Sequence, residues 1–332
     1  MKALTSKAAL ALLVLSTLCS VATASSGHRP GSVLVYPDLI SEDGSLTVIS
    51  ITNTKDDPSF NPATNLNGVV DVHFIYIDAD TWTEFNRFER LTPNDTFSTL
   101  ASVHTTHRVY SGFLYCIAVD PTTGEPVSHN WLIGDFAIAI AHAGWLYSTD
   151  AVPFKSLAPE GQPADLDGDG LIDLDGVEYE AAPDQLLCSS FFGMDYFSLV
   201  FGELILVSLV GSADYETQID VTLYNDNEQQ FSSTIRFRCA TIHDVVTDPV
   251  FSREFLASTN TDPRSNGLGS LETGWFRLDG NRAVDVVGNE PAIEDPPFLA
   301  AWTQILVSGS AGRLLHESNE PNPTPGVLDA LQ

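Results

Sequence analysis

The chain is short of positive charge. Its 332 residues carry 15 Lys and Arg against 44 Asp and Glu, a formal net charge of −29. A field of that sign repels phosphate backbones and anionic lipid, which argues against nucleic-acid binding and polybasic membrane attachment. Lysine is scarcest, with only Lys2, Lys7, Lys55 and Lys155. An acid-rich, lysine-poor surface stays soluble in strong salt, where screening relieves self-repulsion, so the composition suits a saline habitat. Long apolar runs are also missing beyond the N-terminus. Met194 to Gly211 is broken by Asp195 and Glu203, and Leu132 to Tyr147 by Asp135 and His142. Neither supplies the ~20 apolar residues of a membrane span, so no transmembrane segment is expected. There is no Gly-x-Ser-x-Gly elbow, no His-Glu-x-x-His and no phosphate loop, which removes the commonest hydrolase and nucleotide signatures.

What is present starts with an export signal. Residues 1–24 combine Lys2 and Lys7, the apolar stretch Ala8 to Leu18, and the small-x-small site Ala22-Thr23-Ala24. This pattern reads as a secretory signal peptide cleaved after Ala24, and it predicts a secreted or cell-surface product. Removing Lys2 and Lys7 from the 15 basic residues leaves 13 against 44 acidic ones and takes the charge from −29 to −31. Three cysteines remain, Cys116, Cys188 and Cys239. Cys116 sits in a strand-like segment apolar on both faces and reads as a buried thiol. Cys188 and Cys239 share the second half, and an oxidising compartment makes them the candidate disulfide, worth roughly 4 kcal/mol through loop closure.

Short β-type segments separated by turn clusters dominate the rest. In Phe136-Ala137-Ile138-Ala139-Ile140 bulky and small residues alternate, the two-residue period of a packed strand. The second half repeats the order of the first. Leu204 to Val210 answers Leu46 to Thr52, Ile219 to Tyr224 answers Val70 to Tyr76, Phe231 to Arg238 answers Phe85 to Leu91, and Thr273 to Asp279 answers Ser111 to Tyr115. Trp302 to Val307 closes the set. The expected fold is all-β, with two antiparallel sandwiches of about 110–140 residues each. Duplication and the common pattern of antiparallel sandwiches account for the repeated order equally well. The expected organisation is a first sandwich over 27–150, a linker over 151–183, a second sandwich over 184–316 and a polar, Pro-rich tail over 317–332. One short helix is expected over Pro249 to Ser258, where Val250, Phe251, Phe255 and Leu256 share a face.

The linker holds the one specific chemical motif. In Asp165-Leu166-Asp167-Gly168-Asp169-Gly170-Leu171-Ile172-Asp173-Leu174-Asp175-Gly176-Val177-Glu178, carboxylates stand at positions one, three, five and nine. Glycine is at six and an aliphatic residue at eight. Alternate Asp oxygens can converge on a hard divalent ion, the glycine takes the sharp turn, and the aliphatic residue anchors the loop inward. The segment resembles the calcium loops of dockerin-like and thrombospondin type 3-like repeats and, more distantly, the EF-hand. That resemblance implies Ca²⁺ held by Asp165, Asp167, Asp169 and Asp173, with a carbonyl from Leu171. Position twelve, an acid in those loops, is Gly176 here, so Asp175, Glu178 or Glu180, or water, must complete the shell. Magnesium suits such a flexible all-protein cage less well.

Other candidates for chemistry are sparse. His104-Thr105-Thr106-His107 reads as a polar loop, and His129, with Asp135 nearby, as a strand histidine satisfied by hydrogen bonding. Glu84 and Glu89 flank Arg87 and Arg90 in the manner of a cross-strand charge ladder. Asn94-Asp95-Thr96 is a glycosylation sequon by pattern. Among five tryptophans, Trp82 in the turn after Asp78 is the best exposed candidate for binding; Trp131 and Trp145 are further possibilities, and Trp275 and Trp302 lie in apolar strands and read as core. The run Thr47-Val48-Ile49-Ser50-Ile51-Thr52-Asn53-Thr54, with Leu91-Thr92-Pro93-Asn94-Asp95-Thr96, is similar to Ig-like domains of uncharacterised secreted bacterial proteins. The resemblance implies sandwich folds and a surface role. The expected function is therefore non-enzymatic: a calcium-stabilised structural or adhesive protein whose partner is a surface protein or glycan. A carbohydrate-binding protein and a hydrolase with an inter-domain site are the alternatives.

Overall fold

The computed structural model describes residues 29–41, 44–56, 68–105, 111–140, 145–195, 200–211, 214–257, 272–306, 309–317 and 326–329. The signal peptide and His107 lie outside them. The first half forms β1 (Val33–Leu39), β2 (Ser45–Asn53), β3 (Val70–Asp78), β4 (Glu84–Leu91), β5 (Thr96–Leu100), β6 (Gly112–Val119), β7 (Leu132–Ile140), β8 (Trp145–Asp150) and β9 (Val152–Phe154). They pair as two sheets, β4-β3-β6-β1-β9 and β5-β2-β7-β8. Alternation sets which side chains meet. Ile49 and Ile51 of β2 and Phe136 and Ile138 of β7 face Leu34, Tyr36, Phe74 and Leu114 of the opposing sheet, forming one buried core.

After β10 (Leu171–Leu174) come β11 (Gln185–Phe192), β12 (Phe201–Ser208), β13 (Tyr215–Asn225), β14 (Gln230–Arg238) and β15 (Ala240–Asp244). β16 (Thr273–Asp285), β17 (Ile293–Glu294), β18 (Phe298–Leu306), β19 (Gly309–Leu314), β20 (His316–Glu317) and β21 (Gly326–Asp329) complete the chain. Their sheets run β14-β13-β16-β11-β20, with β17 beside β16, and β15-β12-β18-β19. Strand for strand this is the order of the first half, with β17 added. The β2–β5 and β3–β6 pairs are those of an immunoglobulin sandwich. β1 and β7 have exchanged sheets relative to it, β1 lying beside β6 and β7 beside β2. Trp302, Phe251 and Phe276 pack edge to face or stacked at the centre of the second core. Phe251 stands on a single 3-10 turn, Pro249–Phe251, and Leu256 on the short helix α2 (Arg253–Ala257) that follows. Its first-half counterpart in name only is α1 (Ala101–His104).

A third core lies between the sandwiches. In β6 every residue is buried: Leu114, Cys116 and Ala118 face inward, while Phe113, Tyr115, Ile117 and Val119 face outward into a cluster with Val207, Leu209, Leu299 and Ala240. The outer face of one sheet of the first sandwich thus packs on the β15-β12-β18 sheet of the second. In β16, the counterpart of β6, the pattern alternates, with Phe276 and Leu278 inside and Trp275 and Arg277 exposed. Trp275 is therefore a correction to the core reading. It is 41% exposed and stacked on Tyr224 at a ring distance of 4.5 Å, because the face that covers Phe113 in the first half is open in the second. Trp302 is buried as expected.

Two further expectations change. The segment read as linker supplies β9, which pairs with β1, and β10; the segment read as tail supplies β21, which pairs with β10. Leu328, opposite Ile172, is buried in the third core. The expected Cys188–Cys239 disulfide is not formed; both stand as thiols. Cys188 belongs to the second sandwich core, whereas Cys239 packs against the core between the sandwiches, so a sheet separates them. Cys116 is buried, as expected.

Ile172 and Leu174, alternate residues of β10, are fully buried in the third core. Burying such a side chain is worth roughly 1.5–3 kcal/mol, and its truncation also leaves a cavity. Ile172→Ala is expected to lower unfolding stability by about 2–5 kcal/mol, measured by chemical denaturation, with a loss well above that of the exposed control Val177→Ala.

Candidate metal centre

The acidic loop is held from both sides. Ala164, fully buried, donates its N–H to the Pro126 carbonyl at 3.0 Å. Glu178 accepts the Leu157 N–H at its own carbonyl at 2.7 Å, and Val327 donates to Leu209 at 2.7 Å. The first bond ties the loop to the first sandwich, and the second ties it to the segment that follows β9. The third ties β21, and through it β10, to the second.

Within the loop, Asp165, Asp167 and Asp169 each organise backbone ahead of them, as short acidic side chains do in turns. Asp165 accepts N–H groups from Gly168 at 2.6 Å and Gly170 at 3.0 Å. Asp167 accepts from Asp169 at 3.1 Å, and Asp169 from Leu171 at 2.8 Å. Gly170 has φ of +83°, a left-handed angle that favours glycine, at the position where the motif requires the sharp turn. The result is two overlapping groups of carboxylates, Asp165 with Asp167 and Glu178, and Asp167 with Asp169 and Asp173. In each group, ligand oxygens lie within 4.8 Å of one another and could hold a metal ion.

Glu178 reaches the cluster through a second tight turn. Asp175 accepts N–H groups from Val177 at 2.7 Å and Glu178 at 3.0 Å, and Gly176, at φ of +81°, donates to the Tyr179 carbonyl at 2.8 Å. The glycine that replaces the acid at position twelve lets the chain double back, so the acid two residues later joins the group. Glu178 is buried and accepts the Leu166 N–H. Asp175 stands outside both groups as a turn cap. Glu180 is also outside; it pairs with Arg29 at 2.8 Å and accepts the Lys155 N–H. Leu171 opens β10, between Asp169 and Asp173 of the cluster.

The carboxylates strain against one another. Burial, then Glu178, Asp169, Asp175 and Asp167 in turn, push the Asp173 carboxyl up to about 6. Burial also raises Glu178, opposed by backbone N–H donors and reinforced by Asp165. Neither carboxylate has a basic partner among the described residues. A cluster of oxygen ligands with this mutual repulsion is suited to a hard cation.

The remaining candidates do not assemble a second site. His104 sits on α1, bonded to the Tyr76 hydroxyl at 2.8 Å and to Glu89 at 3.3 Å, edge-on to Phe74. His129 is buried against Asn53 at 3.0 Å, and burial, then Lys55, lowers it to about 3; Asp135 is not its partner. The charge ladder on β4 is rearranged, with Arg90 reaching Asp71 of β3 at 2.6 and 2.8 Å and Arg87 reaching the carbonyls of His104 and Thr105. Trp82, at φ of +61°, is half-buried in its turn, and Trp131 is tied to Glu160 at 3.1 Å. A cavity of about 490 Å³ lies at the edge of the first sandwich beside Arg29, Asp135 and Asp150, not between the two halves. No helix among the described residues is long and apolar enough to cross a membrane.

No protein-family model matches the chain, and no curated protein does. Among solved structures it is similar to that of Thermotoga maritima 1070, at 12% identity and a TM-score of 0.27, over 41% of this chain and 99% of that one. A likeness at that score carries no inference.

The geometry separates ligand from scaffold. Asp167, shared by both groups, is expected to be indispensable: Asp167→Ala should weaken cation binding at least a hundredfold in titration calorimetry. Asp175→Ala, which removes only the turn cap, should weaken it about tenfold or less, in line with ~1 kcal/mol for a lost capping hydrogen bond.

Proposed function

We propose that this is a secreted, non-enzymatic protein of the cell exterior in which Ca²⁺ fastens two β-sandwiches into one rigid body with a structural or adhesive role. One observation carries the reading: the converging carboxylates flank and include β10 (Asp165, Asp167 and Asp169 before it, Asp173 within it and Glu178 after it), and its alternate residues Ile172 and Leu174 are buried in the core between the sandwiches. An ion that draws Asp165, Asp167, Asp169, Asp173 and Glu178 together fixes the start of β10. It thereby fixes the β10–β21 strand pair that closes that core. The N-terminal sequence pattern supports export, and millimolar calcium outside cells would keep a loop of even modest affinity filled. Calcium suits the loop better than magnesium because flexible carboxylate and carbonyl ligands meet its larger, looser shell.

A glycan-binding reading has one observation in its favour, the exposed Trp275 stacked on Tyr224. One aromatic pair is a narrow platform, and the sheet face around it is polar, so the structural reading is preferred.

Ligand-linked stability tests the proposal. At calcium a hundredfold above Kd, the bound state gains about 2.7 kcal/mol, which for a chain of this size should raise the midpoint of thermal unfolding by about 5 °C or more. Chelation should reverse the shift, and Asp167→Ala should melt at the chelated temperature with or without calcium. A wild-type melting temperature that ignores chelation would defeat the structural role of the ion.

A further inference from the structure

We propose that a proton held between Asp38 and Glu203 closes the seam between the two sandwiches, so that docking of the halves weakens as pH rises. The placement follows from strand alternation. On β12, Leu204 and Leu206 face the second sandwich core, while Val207 faces the seam; Glu203, at the same parity as Val207, is therefore on the seam side. On β1, Val33 and Val35 face the seam and Leu34 and Tyr36 the first core. An irregularity between Tyr36 and Leu39 shifts the phase; Leu39, the last residue of the strand, and Ile40 beyond its end pack in the first core, and alternation within the strand turns Asp38, before Leu39, toward the seam. β1 therefore presents a carboxyl to the sheet that carries Glu203.

The surroundings leave that carboxyl without a counter-charge. Asp38 is 2% exposed, and its Oδ1 is buried with no hydrogen-bond partner. Across the opposing sheet the register aligns Asp244 of β15, Glu203 of β12 and Thr303 of β18 in one row, and the Thr303 hydroxyl is likewise buried without a partner. His243, the neighbour of Asp244, pairs in register with Leu204 and lies at the opposite parity. None of Asp38, Glu203 and Asp244 has a basic partner among the described residues, and they do not form a metal-type trio there. Taking an ionised carboxylate out of water without a partner is costly, and the group neutralises instead. Burial, then Glu203, accordingly push Asp38 up to about 8, against a single backbone N–H from Leu39 that lowers it; burial, then Asp244, raise Glu203.

The sign follows by linkage. When the halves separate, Asp38 returns to solvent and its ordinary value near 3.8. The docked state binds the proton more tightly, so docking is strongest below about pH 4 and weakens about tenfold per pH unit up to about pH 8, beyond which it levels off. The experiment compares wild type, Asp38→Asn and Glu203→Gln on the full chain under saturating calcium, which holds the loop carboxylates in one state. The readouts are thermal midpoint and hydrogen exchange of β1 and β12 amides from pH 5 to 9. Expected are a wild-type loss of protection up to pH 8 and a flat profile for Asp38→Asn. In Glu203→Gln, with the opposing charge gone, the decline should level off at lower pH. A wild-type profile flat between pH 5 and 8 would overturn the proposal, as would one whose slope neither substitution changes. If Asp38→Asn does not fold, Glu203→Gln decides alone.

Discussion

The molecule depends on a sheet with two apolar faces. In an isolated sandwich each sheet buries one face and wets the other, and its strands alternate. The β3-β6-β1 sheet cannot do this, because Phe113, Tyr115 and Ile117 point away from the core that Leu114 and Cys116 fill. It has to be covered, and the β15-β12-β18 sheet covers it. Everything at the junction follows. The chain between the halves cannot be a slack tether, since Tyr179 and Ala182 are themselves part of the buried cluster. The loop of aspartates is held at the margin of a packed interface rather than on a flexible string.

This also explains how far the sequence could be read. The strands were legible because most alternate, as Phe136 to Ile140 does, and the repeated order of segments matched the repeated order of strands. The loop was legible because its chemistry is local: five acids and a glycine within a few residues describe their own geometry. The seam was not. The all-apolar run Phe113 to Val119 signalled a strand buried on both faces, but a run of that kind does not say what covers it. The disulfide expectation failed for the same reason, since sharing a half of the chain says nothing about which face of a sheet a cysteine occupies. Trp275 was misplaced because its neighbours Phe276 and Leu278 made the strand look buried throughout, while Arg277 marked the open face.

Short acids embedded in apolar strands were the overlooked signal. Asp38, after Val33 to Tyr36, and Glu203, inside Phe201 to Val207, break the apolar pattern at the seam. Glu203 had meaning in the sequence only as a reason the segment could not span a membrane. In the fold the same residue lies on the face pressed against the other sandwich. An ionisable group at such a position indicates a neutral state or a counter-charge, and neither is visible until the sheets are stacked.

A chain with 44 acidic and 15 basic residues has too few cations of its own to neutralise what its fold brings together. Exposed carboxylates need no remedy, because water and salt screen them. Crowded or buried ones do, and the ion and the proton proposed above would meet the shortage in two chemically different ways at one interface. Where five carboxylates converge at its accessible margin, Asp165 through Glu178, the geometry suits a divalent ion, which neutralises several at once. Where Asp38 is buried on the seam toward the sheet that carries Glu203, with no metal-type trio of ligands among the described residues, the proposed neutralising cation is a proton. On the two proposals the devices would respond to different solution variables, calcium for the loop and pH for the seam. Both would act by removing the same repulsion between like charges that the apolar faces alone must otherwise overcome.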